Sequence, residues 1–187
     1  MDDLIAFLRA RLDEDELWAM EASRRHDSQA HPGGVHWQWV NPETDTPVTV
    51  DPSRGPFLTD EEESYRFSLR SKEQFPTGSV GLLPQFAIHS AEEIPFAAAG
   101  HIVRHDPARV LAEVDAKRRV LASYAQAVRV RDEAMEWVKE PVFTDPGAAG
   151  IERWNDARDV AHFLDPVVRL LALPYASHPD YRDTWRP

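Results

Sequence analysis

The spacing of apolar residues predicts a helix first. Over residues 2–24, Ile5, Leu8, Leu12, Ala19 and Ala22 recur at helical steps, and Leu4 and Phe7 widen the stripe, the pattern of a helix with one buried face. Asp2 or Asp3 can cap its start. Asp13-Glu14-Asp15-Glu16 makes its solvent side acidic, and His31-Pro32-Gly33-Gly34 is a breaker. Across residues 35–90 the pattern becomes strand-like. Val35–Val40 alternates, Val48-Thr49-Val50 is β-branched, and Tyr65, Phe67 and Leu69 alternate with Arg66, Ser68 and Arg70. Leu82-Leu83 with Phe86-Ala87-Ile88 offers a fourth strand, interrupted or placed at an edge by Pro84. Turn pairs Asn41-Pro42 and Asp51-Pro52 flank the second segment. The expectation is an antiparallel meander of three to four strands. Trp37 and Trp39 would share one face of it, packed under the N-terminal helix or, less simply, stacking a base or sugar ring.

Residues 91–173 read as helical. Ser90-Ala91-Glu92-Glu93 looks like a cap followed by an acidic first turn. That helix should end near His105, because a residue preceding proline resists the α region. Asp106 as N-cap and Pro107 at the first helical position open a long helix. In it Val114, Leu121, Val128 and Met135 fall every seven residues, and Pro141 sets its limit. Thr144-Asp145-Pro146-Gly147 reads as a turn, and Ile151, Trp154, Val160, Ala161 and Leu164 as the apolar positions of a last helical region. Asp165-Pro166 repeats the cap-and-proline signal ahead of Val167–Leu173. The tail, residues 174–187, carries Tyr175, His178, Tyr181 and Trp185 and is expected to dock as an aromatic clasp. The whole reads as one α+β domain over residues 1–187: N-terminal helix, small meander, long helix, C-terminal helices and docked tail.

Composition narrows the chemistry. With no cysteine among 187 residues, disulfides, thiolate nucleophiles and cysteine metal sites are excluded. The acidic, charge-interrupted N-terminus is no signal peptide, and no apolar run approaches the roughly 20 residues of a membrane span, so a cytoplasmic protein with no membrane partner is expected. The formal net charge is −11. Such a field repels a phosphate backbone and disfavours general nucleic-acid binding. The one basic group, Lys117-Arg118-Arg119 with Arg129 and Arg131, reads as the ion-paired face of a charged helix.

Three phrases carry a resemblance: MDDLIAFLRARLDED at the start, HIVRHDPARVLAEVDAKRRVL at the long helix and RLLALPYASHPDYRDTW at the end. They resemble an uncharacterised family of small actinobacterial proteins, a domain of unknown function, with a His-Asp-Pro-Ala-Arg helix start and a Pro-Tyr-Ala-x-His-Pro-x-Tyr-Arg ending. Members of that family approach the sheet through Pro-Gly-Pro-Trp, where this chain has Pro32-Gly33-Gly34-Val35-His36-Trp37. More distantly, the order of elements is similar to small accessory proteins of phages and mobile elements. The resemblance implies that both ends belong to one unit; it implies no catalytic residue and no cofactor.

Candidate chemistry is sparse. His101 and His105 sit four apart on one helical face, the spacing at which two imidazoles grip a metal. No glutamate lies between them, so a protease site is excluded; a third ligand would have to be His89, Asp106, His162 or His178, and a purely structural pair is the alternative. Asp106 and Asp165 are expected as helix caps. No glycine-rich phosphate loop is present. Glu14, Glu16, Asp60, Glu61 and Glu62 would have to align for the acidic surface to imitate a nucleic acid. The leading expectation is therefore a non-enzymatic protein-interaction or accessory protein, of mobile-element type. Leu121, Val128, Trp37 and Trp39 are candidate contacts, to an unidentified protein partner or to a second copy in a homodimer. The competing expectation is a metal-dependent module or enzyme built on His101, His105 and the C-terminal His/Tyr cluster.

Overall fold

A computed structural model describes residues 1–24, 34–50, 66–77, 81–92, 94–138 and 145–187. Its elements are α1 (Asp2–Ser23), β1 (Trp37–Asn41), β2 (Thr46–Pro47), β3 (Arg66–Thr77), β4 (Gly81–Glu92), α2 (Phe96–Arg104), α3 (Pro107–Val138) and α4 (Asp145–Ala172), followed by short 3₁₀ turns at Leu173–Tyr175 and Asp183–Trp185. This is the expected α+β architecture with its helix first. The chain divides into two compact units, one of Met1–Glu14 with Val114–Pro187 and the other of Asp15–Glu113.

The Asp15–Glu113 unit holds an antiparallel sheet in the order β2-β1-β3-β4. Trp39 pairs with Leu69, and Leu69 with Ile88. Trp39, Phe67 and Leu69 point from the sheet into a cluster completed by Phe96 and Ala99 of α2, with Trp37, Val48, Val50, Ile102 and Val103 packed around it. Trp39 is 1% exposed, and its indole N–H donates to the Ala99 carbonyl at 3.1 Å, so its one polar atom is satisfied inside the core. Helix α2 thus covers the tryptophan that was expected beneath the N-terminal helix. The β1–β2 turn is set by Asn41, whose side-chain oxygen accepts from the Glu43 amide at 2.9 Å. Asp45 closes it at φ 57°, a left-handed conformation that Asp tolerates better than most residues.

Two boundaries differ from expectation. Residues 90–92 belong to β4, and α2 begins only at Phe96. The Phe67↔Ala91 pairing, with Ala91 against the core, outweighs the local capping pattern. Pro84 lies in β4, an edge strand of the sheet as expected; the β3–β4 register shifts between Arg70 and Gln74, and the Gln85 amide donates to the Ser71 hydroxyl at 2.9 Å, which takes the place of a ladder carbonyl. Gly34 is fixed by the same region, since a Cβ there would meet the Ser71 Cβ at 2.5 Å.

In the other unit, Leu4, Ile5, Phe7, Leu8 and Leu12 of α1 are buried, as are Val114, Leu121, Tyr124, Ala127 and Ala134 of α3. Helix α4 is continuous from Asp145 to Ala172, with Pro146 and Gly147 in its first turn and Pro166 inside it. The expected turn at 144–147 and the expected new start at Asp165 are both replaced by this single helix. Asp165 is consequently not a cap. Its carboxylate takes the Arg169 guanidinium N–H at 2.8 Å and the Tyr124 hydroxyl, so its partners are side chains and not the free amides of a helix start. The breaker at 31–33, the acidic run at 60–63 and Pro141 lie outside the described residues.

Candidate functional site

The expected cap at Asp106 has the geometry of one. Its Oδ1 accepts the Arg109 backbone N–H at 3.0 Å, three residues into α3. Its Oδ2 lies 3.4 Å from the Trp37 amide, too long to contribute much. The carboxylate is buried and turned inward.

The His101 and His105 rings stack, with centroids 4.1 Å apart and planes 30° apart. His105 Nδ1 is 2.9 Å from the His101 carbonyl oxygen. A carbonyl only accepts, so Nδ1 carries the hydrogen and Nε2 is the nitrogen left to face a ligand. Among the described residues no group of three His, Cys, Asp or Glu side chains is placed to hold a metal ion. The pair instead lines a hollow of about 420 Å³, with Phe96, Ala97, Gly100, Val103, Arg104, Arg109 and Val50.

The tail is a clasp around Phe7. The rings of Tyr175, His178 and Tyr181 meet the Phe7 ring edge-on, with centroids at 6.3, 5.6 and 6.1 Å, and Trp185 lies at 5.0 Å. Arg11 donates to His178 Nε2 at 2.5 Å, and Arg182 reaches Asp3 at 2.6 Å while lying over the Trp185 ring. Of the tail's acid–base residues, His178 and Arg182 hold it to α1 through Arg11 and Asp3.

Of the residues expected to contact a partner, Trp39 and Leu121 are 1% and 2% exposed, and both belong to the interior. Trp37 is half-buried against the sheet core, and Val128 is half-buried. Three basic residues of α3 are ion-paired, Arg118 with Asp13 at 2.6 Å, Arg119 with Asp115 at 2.7 Å and Arg131 with Asp132 at 2.7 Å, and Arg129 donates to the Gln126 side chain.

The apolar surface lies on α4 instead. Val160, Phe163, Val167 and Leu170 are exposed by 47, 74, 38 and 52%. They follow one another at steps of three, four and three, a single stripe along three turns. Ala157, Ala161, Val168 and Ala172, on the opposite side, are buried. Three alanines and Val168 therefore face the interior, while Phe163, Leu170 and two valines face solvent. Val160 also ends a groove of about 560 Å³ between α3 and α4, walled by Ser123, Gln126, Ala127 and Val130 on one side and Ala149, Glu152, Arg153, Asp156 and Ala157 on the other. Elsewhere among the described residues Leu17 and Trp18 of α1, Met135 of α3 and Leu82, Leu83 and Ile88 of β4 are also exposed, but none of these groups forms a four-residue stripe on one helical face. The α4 spacing was present in the sequence; reading Asp165-Pro166 as a boundary divided it in two.

A family model described as a family of unknown function, DUF6221, matches residues 1–187, and the chain belongs to that family. No curated protein and no solved structure matches the chain.

Proposed function

We propose that this member of DUF6221 is a protein-interaction protein whose α4 stripe and adjoining α3/α4 groove receive an amphipathic helix with basic flanks from a partner protein. The observation that carries the reading is the exposed stripe of Val160, Phe163, Val167 and Leu170 on one face of α4. Phe163 and Leu170 face solvent while alanines face the interior. The four exposed side chains amount to roughly 350 Å² of apolar surface, within the range that marks interaction patches on soluble proteins. Burying it would supply about 9 kcal/mol before the cost of association, which leaves only a few kcal/mol and describes a reversible complex.

Charge selects the occupant. Glu152 and Asp156 line the groove against one cation, Arg153, and Asp159 stands one turn before Phe163, paired with Arg158. The chain as a whole carries −11, so a second copy arrives against a repulsive field and a basic helix with an attractive one. The stripe's three-four-three spacing is the spacing of a helical partner's own apolar positions. An accessory role in the cytoplasm, of the mobile-element type, accords with this reading. No described helix is long and apolar enough to cross a membrane.

The test places a photo-cross-linking phenylalanine analogue at Phe163 and, as control, at Lys117, in cells that normally express the protein. The reading expects one adduct from position 163, with the linked segment, identified by mass spectrometry, a basic amphipathic helix. An adduct formed by two copies of this chain, or equal adducts from both positions, would overturn it.

A further inference from the structure

We propose that the hollow at the end of α2 binds a small organic anion, one phosphate or carboxylate group on an aromatic or short aliphatic body. The hollow measures about 420 Å³, within the range of small-molecule sites. Its lining combines apolar Phe96, Ala97 and Val103 with His101, Arg104, His105 and Arg109. No carboxylate is among the described residues that line it, although 32 of the 187 residues are acidic and only 21 are Lys or Arg. Two carboxylates stand next to the lining without being part of it: Asp106, which accepts the Arg109 amide, and Glu113, which pairs with the Arg109 guanidinium.

Chemistry of the lining favours an anion over a metal. Both guanidinium groups stay charged and offer several donors each. Arg109 uses Nε on Glu113 at 2.7 Å and Nη1, weakly, on the Arg104 carbonyl at 3.4 Å, which leaves Nη2. The two stacked histidine rings lie side by side where chelation needs nitrogens converging on one point. The net charge of the chain opposes an approaching anion only at long range. Within the roughly 8–10 Å over which salt leaves charges unscreened, the local cations decide.

Phenyl phosphate, inorganic phosphate and benzyl alcohol separate the contributions of body and charge in titrations followed by ¹H–¹⁵N and histidine ring NMR signals. Phenyl phosphate is expected to saturate, moving the His101, His105 and α2 signals, and to bind about tenfold tighter than either fragment. Arg104→Gln is expected to weaken it about fivefold with the melting temperature unchanged. Ala97→Phe, which fills the hollow and keeps every cation, should weaken it as much. Equal binding of inorganic and phenyl phosphate would reduce the hollow to a diffuse patch of positive charge and overturn the proposal. So would no saturation by about 10 mM phenyl phosphate, or one equivalent of Zn²⁺ captured by the two imidazoles with the same signals moving.

Discussion

The ring of Phe7, one turn into α1, lies 5.0 Å from the indole of Trp185 with the planes at 42°. This contact ties the last turn of the chain to its first helix. Phe7 is 8% exposed, as is Trp185, and three further tail rings surround the phenyl group. The Arg182–Asp3 pair is more than half exposed and contributes little, whereas the Arg11–His178 contact is part-buried. The apolar part of tail docking is concentrated at Phe7.

Phe7→Ala is accordingly expected to cost about 3–5 kcal/mol in urea unfolding, the range for deleting a buried phenyl group, and to shift Trp185 fluorescence to the red. Phe7→Leu should cost less than half as much. A loss below about 1 kcal/mol for the alanine variant would mean that the tail is held by something other than this ring.

Asp106 separates capping from other roles. Its strong acceptor contact is with the Arg109 amide and its second contact is long, so Asp106→Ala should cost about 1 kcal/mol, the value of a cap alone. Asp106→Asn should retain most of that stability. Thermal unfolding of the two variants measures the difference. A cost well above 2 kcal/mol for alanine would assign the buried carboxylate a larger part than capping.

Tyr124 makes one flank of the helical unit sensitive to alkali. Burial, and then the Asp165 carboxylate beside it, hold the Tyr124 hydroxyl above its ordinary 10.0. A folded-state value above the unfolded one adds stability that is present in full below pH 10 and is lost as pH rises through the folded value. Wild-type stability should therefore fall above pH 10, and Tyr124→Phe should fall less steeply over the same interval. Parallel curves for the two proteins would remove Tyr124 as the source.

The helices and the core were legible where periodicity and burial agree. In α1, Leu4, Ile5, Phe7, Leu8 and Leu12 are apolar in sequence and buried in the fold. The Asp106-Pro107 start of α3 was legible because a cap is a local device. Legibility failed where a distant residue decided the outcome. Ser90–Glu92 carry a helix-start pattern, but pairing with β3 keeps them in a strand. Asp165 carries the same cap signal as Asp106, yet Tyr124, 41 positions earlier, and Arg169 hold its carboxylate inside a continuous helix. Proline at 166 removes only one amide from that ladder, the one that would bond the His162 carbonyl, and the helix continues through it.

The same distinction applies to the candidate contacts. Seven-residue spacing in α3 offered Leu121 and Val128 as contacts to a partner, and in the fold Leu121 is interior and Val128 half-buried. The apolar period of α4 is as regular, and its outward direction follows from Ala157, Ala161 and Ala172 being small enough to let that side of the helix pack closely. Spacing reports that a stripe exists; which way it faces depends on the neighbours.

The central claim, that α4 receives a basic amphipathic helix, is tested most directly by titrating ¹⁵N-labelled protein with a helical Leu/Lys peptide and with its Leu/Glu counterpart. The account predicts that the Leu/Lys peptide alone shifts the signals of Val160, Phe163, Val167, Leu170 and the Glu152–Asp156 wall, and that Phe163→Asp weakens it about tenfold or more. Equal binding of both peptides, shifts centred away from α4, or a concentration-dependent dimer that Phe163→Asp dissolves would contradict it.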